Sequence, residues 1–271
     1  MRRSNWIGLL RCMAFAMMAA AILGARPAAA DQVTSCSHLQ FCYCVNRDLL
    51  PTIEKHVAAI RKAIATERGA GKAIGYVSVP ISSLEGSYYK VNVETAAGIV
   101  SRLSEQFGNG SVWMLNPGLD DWALPQGASG AEYMLMWTRV LEGQDGTGPD
   151  FDFVYFAGPS DFARTLRLTG KDDMVALDAE YDRRLATDPG IKNVDKRQFR
   201  NYYALRASVA FSFGSHDEWN IVRAINEKRR AIDKVRGIAK QLGVFFDGRS
   251  VPPGLFEAPV APGNVGMCQA H

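Results

Sequence analysis

The densest run of reactive side chains in this chain is Ser215-His216-Asp217-Glu218-Trp219, which opens a helix-forming stretch directly after an apolar run. A histidine at such a strand-to-helix turn is the residue type most often used for general acid or base work, which makes His216 a candidate. Three carboxylates on separate segments are candidates to act with it: Glu218, Asp161 in Gly158-Pro159-Ser160-Asp161, and Glu132 in Ser129-Gly130-Ala131-Glu132. Paired acids of this kind stabilise a cationic sugar and activate water at a glycosidic bond. Each also has a local structural role. Ser215 reads as a helix cap, Asp217 and Glu218 complement the helix dipole, and Ser129 with Glu132 forms a capping box. A Ser-His-Asp relay is not read from Ser215, His216 and Asp217, because neighbours in sequence do not point at one another and no G-x-S-x-G elbow is present.

Two further segments suit binding more than reaction. Residues 80–89 (PISSLEGSYY) place Ser82, Ser83, Tyr88 and Tyr89 around a glycine at a helix start, where hydroxyls and free amides suit a phosphate, a carboxylate or a sugar hydroxyl. Residues 116–132 bring Asn116 and Trp122 into a long loop beside Asp120 and Asp121. Ser82, Ser83, Tyr88, Asn116 and Trp122 are therefore the expected substrate contacts. Neither G-x-x-x-x-G-K-[ST] nor G-x-G-x-x-G occurs, so a nucleotide cofactor of either type is not indicated. No cofactor and no metal are expected.

The elements that must hold these segments alternate between helix and strand. Residues 48–67 space Leu50, Ile53, Val57, Ile60 and Ile64 as one helical face, and residues 88–107, 130–141, 159–168, 173–185, 195–205 and 217–242 also read as helices. Residues 75–81, 111–115, 152–157 and 207–213 (ASVAFSF) read as strands, with 243–247 as a fifth. Strands apolar on both faces, each followed by a helix, predict an α/β fold: a mostly parallel sheet of four to five strands with helices on both faces, Rossmann-like or flavodoxin-like. In such a sheet the loops leaving the carboxyl ends of the strands carry function. The segments above are these loops.

The first thirty residues have the form of an export signal. Met1-Arg2-Arg3 is followed by an uncharged apolar run at 12–24 and by Ala28-Ala29-Ala30 before Asp31. The run is about thirteen residues long against the roughly twenty needed to span a bilayer, so cleavage near Ala30 and no remaining transmembrane anchor are expected. Cys36, in Val33-Thr34-Ser35-Cys36, is an alternative lipidation point. Removing residues 1–30 takes four arginines and no acid, and turns the net charge of +3 into about −1. With basic residues interleaved with acids, nucleic acid is not an expected partner. Cys36, Cys42, Cys44 and Cys268 remain after cleavage and predict two disulfides in a periplasmic or secreted protein. Cys42 and Cys44 are too close to pair with each other without strain, so one is expected to bind Cys36 and the other Cys268. A metal site from Cys36, His38, Cys42 and Cys44 is the competing reading. The expected organisation is a signal peptide at 1–30, a Cys-rich segment at 31–47, an α/β domain at 48–250 and a tail at 251–271, with both ends wrapping the surface.

The run GYVSVPI, the Ser/Gly/Tyr loop, the helix carrying Asn92 and then VWMLNPG resemble the opening of the nucleoside 2-deoxyribosyltransferase-like group over residues 74–160. The resemblance implies cleavage of a nucleoside N-glycosidic bond by a tyrosine, an aspartate and a nucleophilic glutamate. Carried over by position these are Tyr88, Asp161 and Glu218, although the group's compact Asp…Gly-Thr…Glu segment is missing after DFVYFAGPSDF. The expected function is an exported, metal-independent enzyme acting on a nucleoside, sugar or similar polar small molecule. The alternatives are a non-catalytic periplasmic protein using Tyr88, Tyr89, Trp122 and Trp219 as ligand or partner contacts, and an envelope protein docked through its Cys-rich head.

Overall fold

The computed structural model describes residues 31–81, 85–205, 207–236, 240–252 and 258–269. The candidates Ser82 and Ser83 lie outside these residues, as does the expected export signal. From Asp31 onward the chain begins with an antiparallel hairpin, β1 (Gln32–Cys36) and β2 (Cys42–Asn46), and continues through α1 (Leu50–Gly69), β3 (Ala73–Ser78), α2 (Tyr89–Phe107) and β4 (Val112–Leu115). There follow α3 (Gly130–Glu142), β5 (Phe153–Phe156), α4 (Pro159–Thr165), α5 (Asp173–Thr187), α6 (Lys196–Ala204), α7 (Phe213–Arg236), β6 (Gly243–Phe246) and the two-residue β7 (Arg249–Ser250). The main sheet has the order β4-β3-β5-β6-β7, parallel except for β7. The chain runs outward from β3 to β4 and then crosses back to β5 on the other side, so a topological switch point lies between β3 and β5.

Alternation along the strands divides the core into two layers. Tyr76 packs edge-on against Trp137 of α3, and the Phe156 ring packs at a tilt against Trp219 of α7, which places α3 and α7 on one face of the sheet. Helix α1 packs beside α3 there, through the predicted stripe of Ile53, Val57, Ile60 and Ile64. Tyr155 points the other way, toward Arg102 of α2 and Asp161 of α4. Gly75 shares that second face, and a Cβ there would lie 2.3 Å from Met114 Sδ and 2.5 Å from the Phe153 ring, so only glycine lets these neighbours meet.

Two expectations require correction. Residues 207–213 do not form a strand. Both edges of β5 are already paired, to β3 and β6, so the segment makes one amide bond to the sheet end, Val209 N to Ala157 O at 3.1 Å, and turns through a 3-10 helix at Val209–Phe211. Its apolar character comes from burial as a loop, with Ala207 and Val209 inside. Val77, Trp113 and Val154 thus share the sheet, and Ala210 does not.

The Cys-rich segment is also not surface wrapping. Tyr43 and Val45 are fully buried, and the Tyr43 hydroxyl meets Thr138 Oγ1 of α3 at 2.8 Å. The tail does lie on the surface. It is tied to the hairpin by Gly266 N to Cys42 O and Cys268 N to Thr34 Oγ1, at 2.8 and 2.9 Å. Both disulfides form, Cys36–Cys42 and Cys44–Cys268. That leaves no thiolate for the competing metal reading and no Cys36 thiol for a lipid. No helix among the described residues is long and apolar enough to cross a membrane.

Candidate functional site

At the carboxyl ends of β3 and β4 a cavity of about 320 Å³ opens between the two helices that begin there, α3 and α7. Val79, Ile81 and Tyr89 line it from the β3–α2 connection, and Pro117 and Leu119 from the loop after β4. Tyr133, Met134 and Trp137 come from α3, Ser212, Ser215 and Glu218 from the entry to α7, and Asn264 from the tail. The volume suits a small organic ligand, and the walls are mostly apolar and aromatic with a few converging polar groups. A groove of about 420 Å³ under α2, toward the amino ends of the strands, is lined by Phe107, Phe153 and Phe245. Its charge, Arg102, is already paired with Asp161 at 2.6 Å.

The cavity's chemistry converges on Glu218. Its side chain is buried and accepts hydrogen bonds from the Tyr76 hydroxyl on one oxygen and from Ser78 Oγ, at 2.5 Å, on the other. Tyr76 and Ser78 are two apart in β3, so both point to the α7 face beside the switch point. Burial pushes the Glu218 carboxyl up to about 7, and nearby Asp217 pushes the same way, while the Ser78 and Tyr76 bonds pull against them. Burial and the same carboxylate raise Tyr76 well above its ordinary value, so its hydroxyl remains the donor. Tyr76→Phe leaves Ser78 as the sole donor. Side-chain NMR is expected to show Glu218 titrating at higher pH in that variant, and a midpoint that stays or falls would refute the assignment.

A carboxyl raised in the folded protein binds its proton more tightly there than in the unfolded chain. Its contribution to stability is therefore present below pH 4.5 and is lost as pH rises toward 7. The loss amounts to about 3 kcal/mol. Glu218→Gln keeps the shape without the ionisation, so denaturant titrations are expected to show the variant gaining on the wild type by about that amount between pH 5 and pH 8. A difference that does not change with pH would refute it.

The entry to α7 is held from a distance. Asp217 accepts from Gly263 N and Asn264 N at 2.7 and 2.6 Å, and Asn220 exchanges two bonds with Val260 at 2.9 and 3.0 Å. Burial raises the Asp217 carboxyl, although the two tail amides oppose the shift. Asn264 rests on Gly130, where a Cβ would sit 2.5 Å from Asn264 Oδ1. The tail thereby completes the cavity wall.

The other candidate residues are not gathered here. Asp161 lies on the opposite face of the sheet, accepting from Arg102, Tyr155 and Gly158 N at 2.6, 2.9 and 3.1 Å. Burial raises its carboxyl against those bonds. Glu132 closes the capping box with Ser129 and also accepts from Asn46 N at 2.7 Å. Burial pushes its carboxyl up, but the Ser129 and Asn46 bonds outweigh this and hold it below the ordinary range. His216 turns away from the cavity, with its ring nitrogens 3.1 Å from Ala261 O and Ala210 O, and ties the tail to the loop before α7. Tyr88 is buried with its hydroxyl on Asp188, and its neighbour Tyr89 lines the cavity instead. Asn116 folds back on Gly118 N at 2.9 Å and shapes the loop, and Trp122 packs against the core without lining the cavity.

Sequence reasoning missed Tyr76, Ser78, Tyr133, Trp137 and Asn264. Two hydroxyls on one face of an otherwise apolar buried strand were a usable signal for the first two. Nothing local marks Asn264. Among the described residues no group of three or more His, Cys, Asp or Glu could hold a metal ion. Comparison with family models, curated proteins and solved structures finds no match to this chain.

Proposed function

We propose that this chain is an exported enzyme that cleaves the N-glycosidic bond of a nucleoside, with Glu218 as nucleophile. The observation that carries the reading is one buried carboxyl, held by Tyr76 and Ser78, in the wall of an apolar cavity at the sheet's switch point. A carboxyl raised to about 7 by burial and lining a cleft is a candidate functional group. Hydrolysis of an O-glycoside needs a second carboxyl within about 5–10 Å to protonate the departing alkoxide. Glu218 is the only carboxylate among the described lining residues, since Asp161 and Glu132 are engaged elsewhere. A nucleobase spreads the electron pair over its ring and departs without such a partner. Tyr89, Tyr133 and Trp137 offer aromatic walls for a planar base.

In this mechanism a Glu218 oxygen attacks the anomeric carbon while the bond from that carbon to the base nitrogen breaks, and the base takes the pair and then a proton from water. Water, or a second acceptor, next attacks the glycosyl ester and regenerates the carboxylate. The 2-1-3-4-5 order of the main sheet supports a flavodoxin-like, doubly wound fold, whose ligands sit at the switch point. The two disulfides support export to an oxidising compartment. Incubating the purified protein with a panel of ribo- and deoxyribonucleosides is expected to release free base, read by chromatography. Ligand-induced thermal stabilisation with no release from any nucleoside would favour a binding protein.

A further inference from the structure

Ser215 is 2% exposed, lies between the Glu218 cavity and a smaller one of about 220 Å³ beside Val209 and Trp219, and has no protein partner for its hydroxyl. A serine in the first turn of a helix ordinarily turns its hydroxyl back onto the backbone. Thr95 and Thr138 do so in α2 and α3, bonding Val91 O and Met134 O at 2.8 and 2.6 Å, whereas Ser215 makes no such bond. The other buried hydroxyls near this wall are engaged: Ser78 on Glu218, and Ser212 Oγ accepting from Ser215 N at 3.2 Å. A buried hydroxyl left unpaired is costly, and such groups in native proteins call for a partner.

Ser215 also precedes Glu218 by three residues, so the two side chains share one face of α7, about 5–6 Å apart at Cβ. That spacing reaches from a carboxylate at a reacting carbon to a hydroxyl on the adjacent carbon of the same ring. Resting on the reading of Glu218 as the glycosyl acceptor, we propose that Ser215 binds the sugar hydroxyl next to the anomeric carbon and makes the protein selective for ribosides over 2′-deoxyribosides. This selectivity departs from what the resemblance to the deoxyribosyltransferase-like group implies. A site built to hydrogen-bond a hydroxyl binds the analogue lacking it more weakly, because the serine is then left unpaired.

The test is calorimetric titration of the purified wild type, Ser215→Ala and Ser215→Thr with the C-nucleosides pseudouridine, formycin A and formycin B, whose carbon–carbon glycosidic bond is not cleaved, and with their 2′-deoxy counterparts. The wild type is expected to bind ribosides about 10- to 100-fold more tightly than deoxyribosides. Ser215→Ala is expected to lose that factor on ribosides alone, so that the two series converge, and Ser215→Thr to keep most of it. Equal wild-type affinity for the two series, or riboside affinity unchanged in Ser215→Ala, overturns the proposal while leaving nucleoside binding intact. If Ser215→Ala does not fold, the wild-type comparison and Ser215→Thr decide. A wild type that binds none of the six removes the nucleoside reading and this proposal with it.

Discussion

Glu218→Gln is expected to abolish base release, lowering kcat on the best nucleoside on the order of 10⁴-fold or more while changing Kd by only a few-fold. The amide fills the same volume beside Tyr76 and Ser78 and cannot form the glycosyl ester. Such a split between turnover and binding separates a nucleophile from a residue that merely shapes the pocket, whose loss moves both. The wild-type kcat is expected to rise with pH through an apparent value near 7, because attack requires the ionised carboxyl and burial holds that carboxyl at about 7. Initial rates of base release from pH 5 to 9, with calorimetric Kd values of both proteins for a C-nucleoside that is not cleaved, check the two statements together. A variant retaining a tenth of wild-type kcat would remove Glu218 from the chemistry.

Opening the Cys44–Cys268 disulfide is expected to have the largest effect on stability. The bond closes a loop across a sequence separation of 224, against 6 for Cys36–Cys42. Chain entropy assigns about 5 kcal/mol to the longer closure and about 2 kcal/mol to the shorter. Cys44→Ala/Cys268→Ala is thus expected to lower Tm by about 10–20 °C, and Cys36→Ala/Cys42→Ala by less than half of that. Thermal and denaturant unfolding under non-oxidising conditions check the order. Equal losses from the two pairs would show that the tail is held mainly by its hydrogen bonds to Asp217, Asn220 and the hairpin.

Legibility along the chain followed the range of the interactions involved. The stripe of α1 and the capping box of Ser129 and Glu132 were readable because each depends on residues within a turn or two. Residues 207–213 misled because burial makes a loop as apolar as a strand, and only the count of free sheet edges tells them apart. Asp161 and Glu218 looked equivalent in the sequence, each an acid near the start of a helix-forming stretch that follows an apolar run. Their separation depends on which side of the sheet each helix crosses.

Composition and periodicity alone thus determined the alternating α/β architecture, the near-neutral charge of the chain from Asp31 onward and the even set of four cysteines. Packing alone decided that Glu218 and not Asp161 meets Tyr76 and Ser78, that Ser215 borders the same cavity, and that Asn264 closes its wall from the far end of the chain. The physical reason is range. Helix caps, turns and hydrophobic periods are set by near neighbours, whereas a pocket at a switch point exists only once strand order, crossover side and a disulfide across a separation of 224 have brought distant residues together.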